Sequence, residues 1–234
     1  MGRIVPAVLP SSRKDLEEKL SLFARFPSVD RVQIDVVDGK FIAPASWPYT
    51  APGELDAMAE RAHMLPELHR IEYEIDLMCF DAERAAGVWL ALGASRLTFH
   101  AESITDIPKL LASFRKRYGG GSDIALPSLV SFGLALNIES SVALIEPYLR
   151  EVEYVQFMGI ARIGAQGQAF DRRVLEKIRA FRARHPDIIV QVDGGVSLQT
   201  AKELLPLGVS RLIVGSAILR ASDPLRAFAA FEEL

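Results

Sequence analysis

The sequence predicts a (β/α)8 barrel, and three observations carry that expectation. Strand-like apolar runs alternate with helix-period segments along the whole length, which is the pattern of a parallel sheet built from βα units. The chain has 234 residues, 50% of them hydrophobic, so it can bury one sizeable core, and a single barrel domain over residues 1–234 is expected. The last two strands both end in small residues just before a helix. Gln191-Val192-Asp193-Gly194-Gly195-Val196-Ser197 is an apolar strand closed by a carboxylate, a glycine pair and a helix cap, and Arg211-Leu212-Ile213-Val214-Gly215-Ser216-Ala217-Ile218 partly repeats it. Backbone N–H groups with no Cβ in the way can approach an anion closely, and in an eight-fold barrel these two turns form the usual phosphate site.

The elements follow in order. A strand at 3–8 leads to a helix at 12–26 capped by Ser12, and a strand at 32–36 leads to a helix at 53–63. Strands at 71–78 and 96–100 precede helices at 81–92 and 104–118, with Gly93 stopping the third helix. A strand at 129–136 is followed by a helix at 140–149 opened by Ser140, and a strand at 154–160 by a helix at 172–185 opened by Asp171. Strands at 188–192 and 211–214 pair with helices at 197–205 and 223–234; Ser197 caps the seventh helix and Gly208 follows it. Two segments break the even spacing. Residues 38–52, rich in Pro, Ala and aromatics, follow a strand and so belong to the catalytic face; residues 119–127, with three consecutive glycines, follow a helix and read as a flexible insertion on the opposite face.

Composition narrows the function classes. A net charge of −3 leaves no basic footprint, so neither nucleic acid nor an anionic membrane is an expected partner. No apolar run reaches the eighteen residues of a membrane span, and the N-terminus has no signal-peptide pattern. The one cysteine, Cys79, cannot form an internal disulfide, which fits a cytoplasmic location.

Carboxylates at strand ends are the candidates for chemistry, because such residues point into a barrel's mouth. Asp35, Asp76 and Asp193 each interrupt an apolar strand, and alternation puts Gln33 on the same face as Asp35. A buried carboxylate needs a partner or a purpose. If the three converge, either a cation neutralises them or at least one is protonated. His100 ends the fourth strand and reads as either a satisfied structural group or a functional one; Asp38 reads as a cap or a site residue. Met78 and Met158 close strands near the mouth, as core or as substrate contacts.

Collectively these residues resemble the ribulose-phosphate 3-epimerase family. The resemblance runs nearly end to end: Ile4-Val5-Pro6, Asp35-Val36-Val37-Asp38-Gly39, Leu77-Met78, Thr98-Phe99-His100-Ala101-Glu102, Ala135-Leu136-Asn137, Gln168 with Phe170, Val192–Val196 and Gly215-Ser216-Ala217-Ile218. It implies an isomerase of carbohydrate metabolism that interconverts ribulose 5-phosphate and xylulose 5-phosphate, with Asp35 and Asp193 as acid and base acting through an enediolate. It also implies a divalent metal and a homo-oligomer. The family's two metal-binding histidines are replaced here by Gln33 and Asp76, a first-strand serine by Ala7, and the loop after the sixth strand reads Ala161-Arg162-Ile163-Gly164-Ala165-Gln166-Gly167. The expected metal set is therefore Gln33, Asp35, Asp76 and Asp193, all oxygen donors, which suits Mg²⁺ or Mn²⁺ better than Zn²⁺. Gly194, Gly195, Gly215 and Ser216 are expected to bind phosphate, with Gly164 or Gly167, and Arg162, contributing from the loop. Two alternatives stay open: an epimerase or lyase for another phosphorylated ketose, and a phosphosugar-binding protein without catalysis.

Overall fold

The computed structural model describes residues 4–118 and 130–234. It contains eight parallel strands: β1 (Ile4–Val8), β2 (Arg31–Val37), β3 (Glu72–Met78), β4 (Arg96–His100), β5 (Ser131–Leu136), β6 (Tyr154–Met158), β7 (Ile189–Asp193) and β8 (Arg211–Val214). They hydrogen-bond in chain order, and β8 returns to β1 to close the sheet. Around them lie α1 (Arg13–Ala24), α2 (Glu54–Glu60), α3 (Ala82–Ala91), α4 (Ile107–Tyr118), α5 (Arg173–Arg184), α6 (Leu198–Leu204), α7 (Ser216–Leu219) and α8 (Pro224–Glu232). This is the expected (β/α)8, or TIM, barrel.

Local chemistry sets the helix starts. Ser12 Oγ accepts from Asp15 N at 3.1 Å, and Ser197 forms a reciprocal capping box with Thr200. Asp171 Oδ1 accepts from Arg173 N at 3.0 Å at the head of α5. The fourth helix starts at Ile107, later than residue 104, because Asp106 Oδ1 accepts from Lys109 N at 2.9 Å and Pro108 fits the first turn.

One expected helix is absent. Residues 140–149 form two 3-10 turns, Val142–Leu144 and Glu146–Tyr148. Lys177 Nζ, from α5, donates to the carbonyls of Asn137 (2.5 Å), Ile138 (3.2 Å) and Ser140 (2.5 Å), which holds the entry to this segment in a loop. Pro147 has no N–H to give a continuing helix, and the first turn is capped by Ser141, not Ser140. The short α7 was not expected, since four residues are too few to show a helical period. Residues 119–127, read as an insertion, lie outside the described residues.

Strand alternation divides the interior in two. Outward-facing residues such as Val32, Ile34 and Val36 of β2 pack under the helices in one large apolar shell. The inside of the barrel is more polar than the branched aliphatic filling that such barrels usually have. Buried Glu74 accepts from Arg96 Nε at 3.0 Å and Thr98 Oγ1 at 2.9 Å, and also from Gln191. Burial alone would raise the Glu74 pKa, but Arg96 and these hydrogen bonds outweigh it and hold the carboxyl below its usual range. Tyr154 fills the barrel, its ring 4.3 Å from the Arg96 guanidinium. Gly133 on β5 makes room for it, since a Cβ there would collide with the Tyr154 ring. This packed floor blocks one end of the barrel and leaves the other end as the mouth.

Candidate active site

Register brings the three strand-interrupting carboxylates together. Asp35 on β2 is the direct neighbour of Asp76 on β3, and Asp193 ends β7 beside Met158 of β6. All three are buried, and one oxygen from each lies within 4.8 Å of the others. The sequence-predicted acids therefore form one cluster, at the ends of strands that face the mouth.

Each acid is held by a named donor. Gln33 Nε2 donates to Asp35 Oδ1 at 2.8 Å and to Asp193 Oδ2 at 3.1 Å, spanning the two. Gln33 thus enters the cluster through its amide nitrogen rather than through the oxygen expected of a metal ligand. Asp76 Oδ2 accepts from Gln156 Nε2 at 3.0 Å, and Gln191 Nε2 donates to Gln156 Oε1 at 2.8 Å, which ties the cluster to the floor. His100 lies on the far side, its Nε2 3.1 Å from Asp76 Oδ1 and its Nδ1 3.9 Å from Glu102 Oε2. Burial would lower the His100 pKa, but Asp76 outweighs it and the imidazole is held above its ordinary value.

The electrostatics are those of like charges out of water. Burial first, then Asp193 and Asp76, push the Asp35 pKa well above the usual carboxylate range. Burial and Asp76 push Asp193 up to about 7. The coupled cluster therefore retains a proton near neutral pH unless a cation is present. The donor set also fits a hard divalent cation. Asp35, Asp76 and Asp193 offer carboxylate oxygens, and the buried Asp76 Oδ1 has no well-directed hydrogen bond.

The walls of the mouth are apolar. Val37, Met78, Met158, Ile160 and Ile163 form a separate cluster, with Leu9, Phe41 and Ile42 packed against it. The cavity runs from Asp35 and Asp193 to the glycine turns, and all six predicted phosphate-side residues line it: Gly164, Gly167, Gly194, Gly195, Gly215 and Ser216. Gly195 has φ +67°, and a Cβ on it would sit 2.7 Å from Phe170 Cα, so this turn must be glycine for the loop after β6 to lie against it. Arg162 is exposed and does not line the cavity. Asp38 proves to be a loop staple: Oδ1 accepts from Lys40 N and Phe41 N at 2.7 Å, and Oδ2 from Phe80 N at 2.9 Å.

Two residues escaped the sequence reading. Gln156 sits two positions before Met158 on the inward face of β6, so alternation would have revealed it. Gln166, in the loop after β6, lines the cavity and gave no periodic signal.

Residues 3–219 match the family model described as the ribulose-phosphate 3 epimerase family. The chain belongs to that family. The match takes in every acid of the cluster and the turn after β8. The ribulose-phosphate 3-epimerase of Mycobacterium leprae is 29% identical over 97% of this chain and 92% of its own length. That of Bacillus subtilis is 25% identical, covering 97% and 96%, and that of Schizosaccharomyces pombe 25%, covering 95% and 89%. Among solved structures, KGPDC from Streptococcus mutans superposes with a TM-score of 0.67 at 16% identity, covering 100% of this chain and 96% of that one. The 3-hexulose-6-phosphate synthase from Salmonella typhimurium has a TM-score of 0.67 at 15% identity, covering 99% and 97%. At such identities these two show that the barrel is shared.

Proposed function

We propose that the chain is a sugar-phosphate 3-epimerase interconverting ribulose 5-phosphate and xylulose 5-phosphate, acting as one barrel domain over residues 1–234. The observation that carries this reading is the Asp35–Asp193 pair. Both acids are buried at the mouth, both are held above the usual carboxylate range by burial and by their neighbouring acids, and one amide nitrogen spans them. A two-base epimerisation needs an ionised carboxylate on one face of a carbon and a protonated one on the other, at the same pH. Asp35 removes the C3 proton, and the C–H electron pair moves toward C2 to give an enediolate. Asp193 returns a proton to the opposite face; the reverse reaction exchanges the two roles. Gln33 keeps the acids in register, and the apolar wall of Val37, Met78 and Met158 excludes water from the exchange. The glycine turns at 194–195 and 215–216, with Gly164 and Gly167 above them, hold the phosphate and so fix C3 relative to the acids.

Asp35, Asp76 and Asp193 would hold a divalent ion, with Mg²⁺ or Mn²⁺ favoured over Zn²⁺ because the donors are hard oxygens. Bound there, the ion supplies Lewis acidity that polarises the ketose carbonyl. The relatives' name supports a phosphorylated ketose as the partner molecule; a homo-oligomer is what the family resemblance implies, and the net charge of −3 argues for neither nucleic acid nor an anionic membrane as a partner. Among the described residues no helix is long and apolar enough to cross a membrane. The buried free Cys79 and a rice relative named as a cytoplasmic isoform support a cytoplasmic location.

The test is formation of xylulose 5-phosphate from ribulose 5-phosphate by protein stripped of metal and reloaded with Mg²⁺, Mn²⁺ or Zn²⁺ in turn. Turnover with Mg²⁺ or Mn²⁺ is expected. Binding of ribulose 5-phosphate with no turnover under any ion would shift the assignment to another phosphorylated ketose or to a non-catalytic binder.

A further inference from the structure

The Gln166 side chain crosses from the loop after β6 to β1 on the rim of the mouth. Its Nε2 donates to the carbonyl of Ala7 on β1 at 3.2 Å, and the same nitrogen lies 2.5 Å from where a Cβ on Gly215 would stand. The amide therefore occupies the space that the glycine leaves open at the turn after β8, inside the cavity that also holds Asp35 and Asp193. One of its two N–H groups is used by Ala7, and the other is left for a ligand at Gly215 and Ser216.

The backbone of Gln166 is gripped from that same turn. Arg220 follows α7, and its N–H bonds to Ser216 O at 3.0 Å, so it is rigidly attached to the residues around the phosphate turn. Its guanidinium passes beneath Gly167, where any Cβ would collide with it, and Nη2 donates to Gln166 O at 3.3 Å. Gly167 has φ +81°, a conformation that a side chain at this point would strain. The arrangement places an arginine on one side of the loop, an amide on the other, and the anion-binding turn between their attachments.

We propose that Gln166 is a specificity-determining residue that donates its free amide N–H to the phosphate of the bound sugar, and that Arg220 is the positioning residue that keeps it there. This rests on the phosphosugar reading of the glycine turns. A loop latch with no ligand role would lose its Ala7 hydrogen bond in Gln166→Glu and Gln166→Met alike, so phosphate affinity would fall equally in the two variants. Phosphate recognition makes Gln166→Glu the worse of the two, because a carboxylate of the same shape repels the anion where the amide attracts it.

The experiment is titration of the metal-loaded protein with inorganic phosphate by calorimetry, alongside steady-state kinetics with ribulose 5-phosphate. Gln166→Glu is expected to weaken phosphate binding about 10- to 100-fold and Gln166→Met about 10-fold, the scale of a lost hydrogen bond to a charged group. Arg220→Gln should raise KM more than it lowers kcat, and Arg220→Lys, which keeps a donor for Gln166 O, should restore most of the loss. Thermal unfolding of each variant reports separately on the fold. Equal phosphate affinity in Gln166→Glu and Gln166→Met would overturn the inference, as would a wild-type protein that binds no phosphate. If phosphate binding follows position 166 while ribulose 5-phosphate is not turned over, the inference stands and the epimerase reading fails.

Discussion

Stripping divalent cations should make the fold lose stability as pH rises from about 4 to about 7. The cause is the crowding of Asp35, Asp76 and Asp193 out of water. Asp193 has a pKa pushed from 3.8 to about 7, by burial first and by Asp76 next. A carboxyl whose folded pKa exceeds its unfolded one stabilises the fold below the unfolded pKa, and that contribution disappears as pH climbs through the folded pKa. At ~1.36 kcal/mol per pH unit, the interval from 3.8 to about 7 corresponds to about 4 kcal/mol for this one group. Asp35 is raised in the same direction by burial and by Asp193. His100, raised chiefly by Asp76 against the effect of burial, has the same sign, losing its contribution as pH rises above 6.5. The assay is urea unfolding of chelator-treated protein from about pH 5 to about pH 8, repeated with Mg²⁺ or Mn²⁺. Asp76→Asn removes one repelling charge and should flatten the metal-free curve, while the ion should flatten the wild-type curve. Metal-free stability that stays level or rises across this window, or an unchanged slope in Asp76→Asn, would refute the reasoning.

Two further outcomes follow from packing. Gly195→Ala should destabilise the fold by about 1–3 kcal/mol and weaken phosphate binding, because the new Cβ would meet Phe170 backbone at 2.7 Å in a left-handed turn; unfolding and phosphate titration read both. Lys177→Met should cost about 2–4 kcal/mol by leaving the carbonyls of Asn137, Ile138 and Ser140 without their donor, with hydrogen exchange rising first in residues 137–149.

What the sequence could show depended on how far apart the cooperating residues lie. Period-two alternation placed Gln33 and Asp35 on one face of β2 and brought Asp76 and Asp193 to strand ends, so the acid cluster was legible from short stretches. The same alternation applied to β6 would have added Gln156. The helix expected at 140–149 fails because Lys177, a long way along the chain, takes the carbonyls at its start. A single-segment pattern cannot register that competition. Gln33 illustrates the same limit at the level of one side chain: its position was foreseen, but its nitrogen faces the acids because Asp35 and Asp193 flank it from separate strands. Arg162 looked like the loop's cation because it is adjacent in sequence, whereas the arginine that touches the loop is Arg220, delivered by the turn after β8. The polar floor of Glu74, Arg96 and Tyr154 likewise becomes intelligible only when strands β3, β4 and β6 close on one another.

The most direct test of the two-acid account is deuterium wash-in at C3 of ribulose 5-phosphate in D₂O, followed by NMR on metal-reloaded protein. The account predicts exchange at C3 of ribulose 5-phosphate that is lost in Asp35→Asn, and loss of conversion to xylulose 5-phosphate in Asp193→Asn. Binding of the sugar phosphate without any C3 exchange in the wild type, exchange that survives in Asp35→Asn, or epimerisation that survives in Asp193→Asn would contradict it.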